Sequence, residues 1–154
     1  MRSLRFTFAL AILALATTAS ATPVISKTTG TFDEIKENLT NALTNRGMVV
    51  NNIAHIGDML ARTGKDLGKT NPVYLKAEAI EFCSATISRK TMEANPHNIA
   101  YCPYVIAIYV LPKEPKTVYV TYRKPTGGDT KASKASLGEV EKLLRDLVKE
   151  TIAP

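Results

Sequence analysis

Residues 103–111, Pro-Tyr-Val-Ile-Ala-Ile-Tyr-Val-Leu, restrict the possible folds more than any other stretch of this 154-residue chain. With the two-residue period of a strand, Tyr104, Ile106, Ile108 and Val110 point one way. Val105, Ala107, Tyr109 and Leu111 point the other, and neither set carries a charge. Such a strand is expected at the centre of a sheet, covered on both faces. Residues 112–116 form a Pro-containing turn, and residues 117–122 read as the neighbouring strand, with Val118, Val120 and Tyr122 on one side.

Other elements follow from local signals. Residues 24–29 are rich in β-branched side chains and stop at Gly30, which predicts a first strand. Thr31-Phe32-Asp33-Glu34 is a capping box, in which the Thr31 hydroxyl and the Glu34 carboxylate each satisfy the other's backbone N–H. Phe32, Ile35, Leu39, Ala42 and Leu43 then lay one apolar stripe along a helix that Gly47 ends. Residues 48–53 read as a second strand and residues 73–82 as a third, with a short helix around Met59-Leu60-Ala61 between them. Ser84 caps a short helix reaching Glu93, stopped by Asn95-Pro96 because proline disfavours a helical residue before it.

Residues 126–135 hold Gly127-Gly128 with scattered Lys, Ser and Ala, and read as a flexible linker. Ser136-Leu137-Gly138-Glu139 is a second capping box, opening a terminal helix over residues 136–154. Its stripe is Leu137, Val140, Leu143, Leu144, Leu147, Val148 and Ile152. The order β-α-β-β-(α)-β-β-α predicts an α+β domain. Its antiparallel sheet has about five strands with helices on one face, plus an extra short helix between strands 3 and 4.

The N-terminus narrows the compartment. Arg2 and Arg5 precede an apolar run and Ala19-Ser20-Ala21, the pattern of a cleavable signal peptide over residues 1–21. Its apolar run is shorter than the roughly 20 residues a membrane span needs. A periplasmic or secreted protein is therefore expected, with its core in residues 22–125 and no membrane span after cleavage. The chain carries a net charge of +6, with much of the excess between Arg123 and Lys134. Dispersed lysines without a base-stacking motif speak against nucleic acid as a partner.

Export gives weight to the two cysteines, Cys83 and Cys102. Cys83 ends the third expected strand and Cys102 begins the fourth. If these strands are antiparallel neighbours, the thiols meet at one rim, within the roughly 4.4–6.8 Å Cα separation a disulfide requires. Parallel strands would place them at opposite ends. Three readings stay open at this stage. One is a structural disulfide. The second is a redox enzyme or sensor using Cys83, whose place before a helix N-terminus favours the thiolate. The third is a copper or haem carrier, since exported sulfur ligands suit soft metals. Met48, Met59 and Met92 fall within expected elements, where methionine fills gaps.

No phosphate loop, G-x-S-x-G or H-E-x-x-H occurs, so no catalytic set, metal site or cofactor is assigned. Glu81, His97, Tyr101, Tyr104 and Tyr119 are the candidate pocket residues, and a small apolar molecule is the candidate ligand.

The run Glu81-Phe82-Cys83, a helix, Asn95-Pro96, then Cys102-Pro103-Tyr104-Val105-Ile106-Ala107-Ile108-Tyr109 and Tyr122-Arg123-Lys124-Pro125 resembles the domain-of-unknown-function family 302. The helix over residues 32–46, followed by Gly47, extends the resemblance to residues 31–125. It departs from the family's pattern at Ser84-Ala85 after Cys83 and at Pro103 after Cys102. The resemblance implies a TBP-like β-α-β4-α fold and a homodimer formed through the sheet, and it brings no catalytic residues. The expected function is that of an exported binding or interaction domain with an apolar groove beside the cysteines.

Overall fold

Thr31 opens the first helix as its sequence predicts. Its hydroxyl accepts from the Glu34 N–H at 3.2 Å while its own N–H donates to the Glu34 carboxylate at 3.3 Å. The computed structural model describes residues 22–153, so the expected signal segment lies outside the described residues. In chain order the elements are β1 (Pro23–Thr29), α1 (Phe32–Asn45), β2 (Val49–Ala54), α2 (Ile56–Asp66), β3 (Lys76–Cys83) and α3 (Ala85–Ala94). A 3₁₀ helix (Pro96–Tyr101), β4 (Tyr104–Val110), β5 (Thr117–Arg123) and α4 (Lys131–Thr151) complete the domain.

The five strands form one antiparallel sheet in the order β1-β5-β4-β3-β2, which puts β4 at its centre. Ile80, Phe82, Ile106, Ile108, Val118 and Val120 point to one face. There the apolar stripes of α1 and α4, including Leu39, Leu43, Val140 and Leu147, pack on them to make the core. The other face behaves differently. Val105 is 39% exposed, and Ala107 and Tyr109 are only half-buried. The expectation that β4 is covered on both sides is therefore corrected. α1 and α4 close onto the same side, so Val105, Ala107 and Tyr109 face away from that core, and Tyr109 packs instead against the rings of Tyr74 and Tyr119.

Three boundaries also moved. α4 begins at Lys131, inside the expected linker, because Thr130 caps it by accepting from the Ser133 N–H at 3.0 Å. Ser136, the expected cap, lies buried within the helix and donates to the Ser133 carbonyl at 2.9 Å. β3 starts at Lys76 rather than residue 73, leaving Val73 and Leu75 exposed. α2 runs a full Ile56–Asp66, with Gly57 so close to β3 that an added Cβ would lie 2.9 Å from the Ala77 nitrogen. Among the described residues no helix is long and apolar enough to cross a membrane.

Candidate functional site

The antiparallel pairing of β3 with β4 settles where the cysteines go. Phe82 lies opposite Tyr104, so the next residue of β3, Cys83, comes beside the segment that leads into β4. That segment is the 3₁₀ helix, Cys102 and Pro103, with the Cys102–Pro103 peptide in the cis form. The two Sγ atoms are 2.9 Å apart as free thiols. The predicted convergence is present; the predicted disulfide bond is not formed.

Burial pushes the Cys83 thiol up to about 11, and contact with Cys102 pushes in the same direction. The Asn51 side chain and the Tyr104 backbone favour the thiolate, but burial prevails. The helix N-terminus that follows does not reverse this, so the activated thiolate expected at this position is not what the surroundings favour. Cys102 Sγ also lies 3.8 Å from the Ser88 hydroxyl, which donates to the Tyr104 hydroxyl at 3.1 Å. Burial raises the pKa of Tyr104 as well.

A polar chain behind the thiols holds the 3₁₀ helix in place. Buried Asn98 donates to the Thr91 carbonyl of α3 at 2.9 Å and accepts from the Ser133 hydroxyl of α4 at 3.0 Å. Tyr101 donates its phenol to the Thr126 carbonyl, and Asn95 donates to Asp129 at 2.7 Å. The 3₁₀ helix is thus tied to α3, to α4 and to the segment between β5 and α4.

On the open sheet face beside this corner lies a groove of about 440 Å³. Val105, Ala107 and Thr121 lie along the strands that line it, while Tyr101, Pro103 and Pro125 come from the flanking segments. Arg123, the last residue of β5 and the partner of Pro23 in β1, lines the same groove. Pro103 and Tyr101 flank Cys102 in the chain, so the thiol corner and the groove share a border.

Of the candidate pocket residues, Tyr101 and Tyr104 line the groove. Glu81 sits on β3 opposite Val105, at the groove's flank. His97 is exposed on the 3₁₀ helix, its N–H donated to the Asn95 side chain at 2.9 Å, and does not join them. Tyr119 belongs to the far end of the sheet. It stacks on Tyr109 with ring centres 4.8 Å apart, and Lys27 Nζ lies 4.9 Å from its centre. Sequence reasoning missed Ser88, Asn98, Arg123 and Ser133. Ser88 sits one helical turn after the Ser84 cap, a spacing that marks it as facing the same corner. Asn98 and Ser133 carried no comparable signal, and Arg123 stood out only as part of the Tyr122-Arg123-Lys124-Pro125 run and of the basic stretch from Arg123 to Lys134. Among the described residues no three His, Cys, Asp or Glu side chains gather where they would hold a metal ion.

Comparison with known proteins supplies the family. The chain superposes on the crystal structure of an uncharacterized conserved protein DUF302 from Bacillus stearothermophilus with a TM-score of 0.68 and 18% identity. The match spans 84% of this chain and 97% of that one, and it shows the α+β fold. No curated protein matches the chain by sequence. The profile of DUF302, a domain of unknown function, matches residues 24–151. With the profile spanning nearly every described residue, the chain belongs to the DUF302 family.

Proposed function

We propose that this protein is an exported binding domain that takes a small, largely apolar molecule in the groove beside Cys83 and Cys102. The observation that carries the reading is the groove itself, about 440 Å³ on the sheet face opposite α1 and α4 and bordered by the tethered 3₁₀ helix. Its volume falls in the range of small-ligand sites, and its lining is mostly apolar with few polar groups, as in such sites. Export is supported by the charged, apolar and Ala-Ser-Ala pattern of residues 1–21.

The thiol pair serves as a staple in this reading. In an oxidising compartment the two thiols give up two protons and two electrons to an external disulfide oxidant and join as Cys83–Cys102. Closing a loop of this length contributes about 3 kcal/mol in the chain-entropy model. A reduction potential below about −300 mV supports the staple, and a more oxidising value supports a labile redox pair instead. The upward shift of Cys83 favours the staple, because a thiol held protonated at neutral pH is a poor nucleophile.

Self-association through the open face belongs to the same proposal. Ile25 is 52% exposed on β1 in the row that crosses Thr121, Ala107, Ala79 and Ala54. Stacking two such faces would cover Ile25 and Val105.

The test is a fluorescence titration of the oxidised protein with N-phenyl-1-naphthylamine, an uncharged apolar dye. One saturable site, abolished by Ala107→Phe in a variant with an unchanged melting curve, supports the reading. No saturable binding, or binding indifferent to Ala107→Phe, refutes it.

A further inference from the structure

Resting on the groove reading above, we infer that its ligand is an anion with an apolar body, a carboxylate or comparable acid whose charged end meets Arg123. Arg123 is the one charged side chain among the described residues that line the groove, and no carboxylate lines it. The arginines that form ion pairs elsewhere in the domain, Arg46, Arg89 and Arg145, do so with Glu150, Glu93 and Glu141. Arg123 forms none among the described residues. A planar guanidinium offers paired N–H donors that match a carboxylate in two parallel bonds, and it keeps its charge at any physiological pH.

The placement of charge around it is one-sided. Glu81 is the near carboxylate on this face, opposite Val105 on β3. β4 stands between β3 and β5, so Glu81 and Arg123 are separated by two strand spacings, roughly 10 Å. Val105, Ala107 and Pro103 supply the apolar bed beside the guanidinium. A neutral ligand would use the bed and leave the cation idle, and an inorganic anion would use the cation and leave the bed idle. An acid with a hydrocarbon or aromatic body uses both.

The experiment displaces bound N-phenyl-1-naphthylamine with octanoate and, separately, with 1-octanol, two molecules of equal chain length that differ in charge. Octanoate is expected to displace the dye at a concentration at least fivefold lower than octanol does, with an advantage that shrinks as salt is raised. Arg123→Gln should erase that advantage, read as the ratio of octanoate to octanol displacing concentrations within the variant itself, and Arg123→Lys should restore part of it. The inference is overturned if octanol competes as well as octanoate, or if Arg123→Gln leaves octanoate's advantage intact. Failure of the dye itself to bind would instead refute the groove reading on which the inference stands, so the two failures are told apart.

Discussion

Cys83 is subject to two opposed influences on a thiol. It precedes the helix N-terminus at Ser84, which favours a thiolate, yet it is packed against a second sulfur at a partly buried corner, which disfavours one. Burial prevails, and the folded-state value rises from the ordinary 9.0 to about 11. A group whose folded pKa is raised holds its proton more tightly in the native state, so its contribution to stability is fully present below pH 9. That contribution is lost as pH climbs through about 11. The reduced protein should therefore lose stability from pH 9 to 11 in urea titrations, and Cys83→Ser should make that slope shallower, the remainder coming from Tyr104, Tyr109 and Tyr122, which burial also raises. A second residue-scale prediction concerns Gly57. An added Cβ would lie 2.9 Å from the Ala77 backbone nitrogen, and a backbone atom within a sheet cannot swing aside. Gly57→Ala should destabilise by about 1–3 kcal/mol despite its better helix propensity, as read from the urea midpoint.

Individual elements divide into those that local signals define and those that need a distant partner. The start of α1 is local: cap and reciprocal carboxylate lie within four residues, and both bonds form as predicted. Thr31→Ala should cost about 1 kcal/mol in the same urea measurement. The start of α4 is not local. Two capping signals compete, at Thr130 and Ser136, and the earlier one wins because Ser133 is buried where it reaches Asn98 across the fold. A small polar side chain looks like linker composition until its buried partner is known. Ser133→Val should leave Asn98 Oδ1 without that donor and destabilise by about 1–3 kcal/mol, whereas the exposed neighbour change Lys134→Ala should stay within about 0.5 kcal/mol. Comparing the two melting curves checks this.

For the whole molecule, the sheet's two faces should respond unlike each other. Phe82 is fully buried on the helix-covered side, and Phe82→Ala should cost about 3–5 kcal/mol. Val105 lies on the open side of the next strand. Val105→Lys should change stability far less, yet abolish any self-association seen by analytical ultracentrifugation. The order of elements, the antiparallel meander and the meeting of Cys83 with Cys102 were legible in the chain, because each follows from short-range periodicity and chain reversal. Two-residue alternation states which side chains of β4 share a face. It does not state what lies over that face, which depends on where α1 and α4, more than 50 residues apart at their nearest ends, direct their apolar stripes. Hence Val105 and Ala107 looked like core from their composition and proved to border open space. The groove with Arg123 at its edge arose only when β5, the 3₁₀ helix and Pro103 were brought together in three dimensions.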